Sequence, residues 1–169
     1  MQNKLNSLKL RMKDNNVDLV VLGPGTHMNW LLGFNPYPDE RPCMLLIGKE
    51  KEAFLMPSVN AEDARKRTDI AINSWNDENG PDQALKEALL YIGESSAKHI
   101  AIDEAMRSHF ALIVIEALPN PTYEFTGSTI GALRMRKDQA EFINLKENAL
   151  IDDRAMQAGF AAIKEGVTE

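Results

Sequence analysis

Two periods of apolar residues run through this chain. Leu5, Leu8 and Met12 recur at helical spacing, so residues 3–15 read as an amphipathic helix that Asn15-Asn16 ends. Residues 17–22 are an apolar, β-branched run, long enough for a strand and too short for a helix. Gly23-Pro24-Gly25 breaks it. Thr26 is placed to cap a short helix through Trp30, Leu31 and Leu32, which Gly33 closes. Residues 34–42 hold Pro36, Pro38 and Pro42 and read as a stiff loop. Residues 43–47 and 53–56 read as strands joined across Gly48-Lys49-Glu50-Lys51 in a hairpin.

The alternation continues. A short surface helix is expected over 59–67, supported by Glu62 with Lys66 and Asp63 with Arg67 at i,i+4 spacing. Residues 70–75 give a fourth strand and 76–80 a polar loop. Pro81 opens a helix that runs to Ile92 and stops at Gly93. Residues 99–103 form a strand. Residues 106–118 form a helix apolar almost all round, and therefore expected to be well buried. Pro119 and Pro121 end it, and 122–125 is the last strand. Strands alternating with helices, plus one hairpin, predict an α/β domain in three layers, its mixed sheet flanked by helices.

The alternation stops near Gly127 to Gly131, which places a domain over 1–130 and a separate segment over 131–169. Asp138 and Glu141 have the spacing of a capping box, and a C-terminal helix should start there. It should run to about Glu165, with Gly166 as its left-handed stop. Val167-Thr168-Glu169 then reads as the cap of a further helix. This predicts that the chain is the front part of a longer polypeptide, with the chemistry in the part that follows.

Charge and composition narrow the function classes. The net charge of -6 offers no basic stripe, which disfavours nucleic acid and anionic membrane as partners. One cysteine, Cys43, rules out an internal disulfide and fits a reducing cytoplasm. Cys43 lies in an apolar strand with no histidine nearby, so a small buried hydrophobe is expected rather than a nucleophile. Gly23-Pro24-Gly25 follows a strand, but Met28 stands where a dinucleotide-binding fingerprint needs its third glycine, and no phosphate-loop lysine follows. His27, His99 and His109 are scattered with no metal-ligand spacing, so no metal site is predicted in this chain. Asp103-Glu104 and Asp152-Asp153 are paired acids, but adjacent acids on a helix point about 100° apart, and Asp152-Asp153 reads as part of a solvated face. The proline-rich loop presents Tyr37 and Arg41, residue types suited to anchoring an anionic group or a partner. A rigid surface loop with Arg41 paired to Asp39 or Glu40 explains the same residues.

Taken in order, several stretches resemble the creatinase/prolidase family of Xaa-Pro aminopeptidases, Xaa-Pro dipeptidases and creatinase. They are Asn29-Trp30-Leu31-Leu32-Gly33-Phe34, then Leu133-Arg134-Met135-Arg136-Lys137-Asp138-Gln139-Ala140-Glu141, then Lys164-Glu165-Gly166-Val167-Thr168-Glu169. The chain departs from the family at Trp30-Leu31-Leu32, where an aromatic, leucine and threonine are usual, and at Glu165, where proline is common.

The resemblance implies a ribonuclease-H-like N-terminal domain with a mixed sheet of about six strands. A pita-bread catalytic domain would follow it, binding two divalent metals of the manganese or cobalt type through Asp, Asp, His, Glu and Glu. None of those ligands maps onto this chain, so the resemblance implies no catalytic or metal residue and no cofactor here. It implies a homodimer that serves a proline-peptide hydrolase by controlling active-site access. The loop holding Arg41 corresponds to a family region that approaches the neighbouring subunit's active site, which makes Tyr37 and Arg41 candidate substrate contacts in trans without inheriting that role from the family. The alternative is a protein-binding module of the same fold that has lost the enzyme.

Overall fold

Burial of both faces decides how this sheet is built. In the computed structural model, which describes residues 2–168, β1 (Leu19–Leu22) and β2 (Met44–Ile47) are apolar at every position and wholly buried. Such unbroken apolar strands belong inside a sheet with helices on either side. The remaining strands are β3 (Glu52–Pro57), β4 (Ala71–Trp75), β5 (His99–Ile102) and β6 (Thr122–Phe125). The sheet has six strands in the order β4-β3-β2-β1-β5-β6. β2 is antiparallel to β1 and β3, and the pairs β3·β4, β1·β5 and β5·β6 are parallel. Val20 on β1 stands opposite Ile47 on one side and Ala101 on the other. The expected mixed sheet with helices on both faces is what forms.

Helices α1 (Gln2–Asp14), α2 (Thr26–Leu32) and α3 (Ser58–Arg65) cover one face. There Leu5, Leu8, Met12, Met28 and Leu31 meet Val20, Leu22, Leu45, Phe54 and Met56. Helices α4 (Asp82–Ile92) and α5 (Ser108–Ala117) cover the other, where Leu85, Leu89, Phe110 and Val114 meet Leu19, Val21, Leu46 and Ile100. Gly33 closes α2 and Gly93 closes α4, each in the left-handed region where a side chain would be strained. Lys4 reaches from α1 to the Trp30 carbonyl at 3.1 Å and lies 4.3 Å from the centre of the Trp30 ring, tying α1 to α2.

Some elements depart from the sequence reading. The helix over 106–118 is shorter and far less buried than expected: α5 buries Phe110 and Val114, while Leu112 is exposed. It is the crossover between β5 and β6 at the margin of the sheet, so one side of it meets the core. A 3-10 turn (Thr126–Ser128) and a short helix α6 (Ile130–Met135) follow β6 where no element was predicted.

The chain divides into a unit ending at Leu133 and a unit starting at Arg134. The second carries α7 (Gln139–Ala162), whose start is the predicted capping box. Asp138 accepts the Glu141 backbone N–H at 2.8 Å, and Glu141 accepts that of Asp138 at 3.2 Å. α7 ends three residues before the predicted stop, because Ile163 turns extended. Gly166 is left-handed, as predicted, but it serves a turn in which the Val167 N–H reaches the Lys164 carbonyl. The proposed further cap includes Glu169, which lies outside the described residues; Val167 and Thr168 are not helical. Phe142, Leu145, Met156 and Phe160 of α7, and Ile163 just beyond it, are all exposed.

Candidate functional site

The proline-rich loop is held from several sides. At its start Asn35 accepts the Gly25 N–H at 2.7 Å, and at its end Pro42 accepts the Trp75 indole N–H at 2.8 Å. His109 reaches the Glu40 carbonyl at 3.2 Å. Tyr37 is exposed and forms one wall of a cleft of about 260 Å³ with Phe34, Val59, Asn60, Asp63 and Arg67. Arg41 turns elsewhere. Its guanidinium grips Asp77, on the loop after β4, through two parallel bonds of 3.0 Å. That contact holds the Asp77 carboxyl below its ordinary range. The Arg41 backbone N–H goes to Asp39 at 2.9 Å, and its side chain lies 3.6 Å from Glu40. The loop thus presents Tyr37 toward a cleft and Arg41 in a surface ion pair.

Cys43 sits at the end of this loop, 1% exposed. Burial, with a smaller contribution from Asp39, pushes its thiol up to about 12. A thiol so protonated is a poor nucleophile. The native protein should therefore leave Cys43 unlabelled by an aromatic disulfide reagent at pH 8, and label fully once unfolded. Labelling of the folded chain at the rate of free cysteine would contradict this.

A second constellation lies at the carboxyl ends of β1, β5 and β6. β5 lies between β1 and β6 and is parallel to both, so the segments leaving the three strands emerge at one end of the sheet. His27 belongs to α2, just beyond β1. Asp103 and Glu104 follow β5 directly, and Thr126 follows β6. His27 Nε2 lies 3.2 Å from Glu104 Oε1 and 3.3 Å from Thr126 Oγ1. The Thr126 hydroxyl donates to Glu104 Oε2 at 2.5 Å. Asp103 accepts the Ala105 N–H at 2.9 Å and a backbone N–H of Gly23. Gly23 must be small here, since a Cβ would stand 2.9 Å from the Met106 side chain.

His27 and Asp103 are 5% and 3% exposed, whereas the Glu104 side chain is half exposed. Burial raises the Asp103 carboxyl above its ordinary range, against the pull of the Ala105 N–H and the His27 ring. Burial would raise Glu104 as well. Hydrogen bonds from Thr126 and a backbone N–H, together with His27, instead hold its carboxyl down at about 2.

This cluster corrects the sequence reading of histidines scattered without ligand partners. His27 and Glu104 are 77 residues apart, and the parallel pairing of β1 with β5 brings them together. One signal was available: both Gly23 to His27 and Asp103-Glu104 immediately follow apolar strands. Among the described residues, His27, Asp103 and Glu104 are the group whose ligand atoms lie close enough for one metal, within 4.8 Å of one another. Three ligands with a single histidine do not fit the five-ligand, two-metal site that the resemblance implies, and no step is derived through that site.

Residues 4–136 match the creatinase/prolidase N-terminal domain. The chain belongs to this family. This creatinase/prolidase N-terminal domain is 25% identical to an Xaa-Pro dipeptidase of Lactobacillus delbrueckii subsp. lactis, over 98% of its own length and 46% of that protein. The match to an Xaa-Pro dipeptidase of Lactobacillus helveticus has the same identity and covers the same shares. It thus spans about half the length of these relatives. Its fold is that of a dipeptidase from Pyrococcus horikoshii OT3, with a TM-score of 0.85 at 24% identity over 98% of this chain and 46% of the other. It also matches the N-terminal domain of an Xaa-Pro dipeptidase from Lactobacillus brevis, with a TM-score of 0.66 at 14% identity over 74% of this chain and 95% of the other. Among the described residues, no helix is long and apolar enough to cross a membrane.

Proposed function

We propose that this domain is the non-catalytic front part of a cytoplasmic Xaa-Pro dipeptidase- or aminopeptidase-type hydrolase. It serves homodimer formation and narrows the way to an active site carried elsewhere in the protein. The observation behind this is that nearly the whole chain aligns with less than half of an Xaa-Pro dipeptidase. The substrate is a proline-containing peptide, and the hydrolytic part binds two divalent ions of the manganese or cobalt type. In this reading Tyr37, exposed at its cleft, and Arg41 of the same loop, paired with Asp77, contact the substrate across the dimer. The exposed apolar side chains of α7 support a segment that docks onto further polypeptide.

An antibody raised against the chain tests this in its source cells. The captured protein should have a mass well above 18.9 kDa and should cleave an Xaa-Pro dipeptide when supplied with Mn²⁺. The exposed α7 also suits a second reading, a free-standing binding module. Capture of an 18.9 kDa species without hydrolysis would favour that module and overturn the enzyme reading.

A further inference from the structure

We propose that His27, Asp103 and Glu104 form a mononuclear divalent-metal site, with zinc as the ion its donor set fits. The site is separate from the two-metal centre expected of the hydrolytic part, and it runs against the sequence-based expectation that this chain holds no metal.

The first argument is position. The chain leaves β1 toward β2 on one side and leaves β5 toward β6 on the other. The departing segments therefore diverge above the carboxyl ends of β1 and β5. Open α/β sheets place their ligands at such switch points. His27 arrives on the segment leaving β1, and Asp103 and Glu104 on the segment leaving β5.

The second argument is donor chemistry. One imidazole nitrogen and two carboxylates suit a first-row transition ion. Magnesium and calcium prefer oxygen ligands throughout. Three protein ligands leave a further position for water, as in open zinc sites.

The third argument is geometry. Zinc holds nitrogen and oxygen ligands at about 2.0–2.2 Å, so neighbouring ligand atoms stand about 3.0 Å apart in octahedral and about 3.4 Å apart in tetrahedral arrangement. His27 Nε2 and Glu104 Oε1 are 3.2 Å apart, between those values. All three ligand atoms lie within 4.8 Å of one another, against about 4.2 Å for a trans pair on an octahedral ion and about 3.4 Å for a tetrahedral pair, so the group must contract around an ion. Of the three ligands Glu104 has the most room to shift, because its side chain is 49% exposed. The same exposure gives the ion its way in.

The supporting contacts are those a metal site needs to orient its ligands. Thr126 occupies Glu104 Oε2 and so turns Oε1 toward His27. Backbone N–H groups of Gly23 and Ala105 fix the Asp103 carboxylate.

The test uses the chain stripped with a chelator and carrying no histidine tag. Titration calorimetry with Zn²⁺ should show one ion per chain, and Mg²⁺ at the same concentration should show none. Glu104→Gln should weaken zinc binding at least about tenfold, as should His27→Gln. Co²⁺ should give a visible absorption band that both substitutions abolish. His27 is buried, so its variant can fail to fold. Glu104→Gln decides the matter in that event, provided its metal-free melting temperature stays near that of the parent. No zinc uptake, or uptake that Glu104→Gln leaves unchanged, would overturn the proposal. The assay contains no peptide, so its failure leaves the proposed hydrolase role untouched.

Discussion

Replacing Phe54 with alanine should lower the thermal midpoint of this chain by roughly 6–20 °C. Phe54 lies in β3, fully buried, with Leu45 of β2 and Ile72 of β4 as its register partners. Its ring centre is 6.2 Å from that of Phe34, in a tilted arrangement. Truncating a buried phenylalanine costs about 3–5 kcal/mol, through lost burial plus the cavity left behind. The cavity would resist closing here. The strand backbone is pinned by pairing on both sides, and α1 to α3 close the layer above. In a domain of this size each kcal/mol moves the midpoint by about 2–4 °C. Phe34 would also lose its partner and take the start of the proline-rich loop with it. Melting followed by far-ultraviolet circular dichroism gives the answer. A fall of less than about 2 °C would mean that β3 is not the centre of this core.

Asp18→Ala should be the next most damaging change, at about 2–4 kcal/mol at pH 7. The Asp18 carboxylate accepts the backbone N–H groups of Lys98 and His99 at 2.8 and 3.0 Å, and pairs with Lys49 at 2.6 Å. It therefore fastens the entry to β1, the entry to β5 and the β2–β3 hairpin at one point. Removing it orphans two N–H groups at the β5 edge of that junction. Burial alone would raise the Asp18 carboxyl, but Lys49 and the two N–H groups outweigh it and hold it below its ordinary range.

A carboxyl lowered on folding contributes stability that is present above its unfolded value and lost as the pH falls through its folded value. The gap between parent and Asp18→Ala should thus be full at pH 7. It should shrink below about pH 4 as the parent carboxyl protonates. Urea unfolding at pH 7, 5 and 3 measures it. A gap that stays constant across these values would assign the loss to packing instead of the charge.

Local signals carried the elements, and pairing across long separations carried the rest. Gly33 and Gly93 mark helix ends because a left-handed residue is a local requirement. The capping box at Asp138 and Glu141 spans three residues and was legible for the same reason. The apolar character of residues 106–118 was visible, yet its burial was not, since burial depends on where the crossover lies relative to the sheet margin. α7 likewise stops earlier than its pattern, at Ile163. The loop carrying Tyr37 and Arg41 was legible from its prolines. That Arg41 would grip Asp77, 36 residues away, was not. The His27 cluster shows the same limit more strongly. No spacing rule links a residue after β1 to one after β5, because strand order is a property of the folded sheet.

The strand order also sets a sequence of events for assembly. β1, β2, β3 and β4 are neighbours in the sheet in the order in which they occur in the chain. Two-thirds of the sheet can therefore zip up from nearby segments. β5 must then find the open flank of β1 across a separation of about 80 residues. Closing that loop instead of the shorter one between β1 and β2 adds only about 1 kcal/mol of entropy, because closure entropy grows as the logarithm of length. The late arrival of β5 and β6 consequently weighs little on stability and more on rate. Until they arrive, the apolar flank of β1 is an uncovered strand edge, the part of the young molecule most exposed to pairing with another chain.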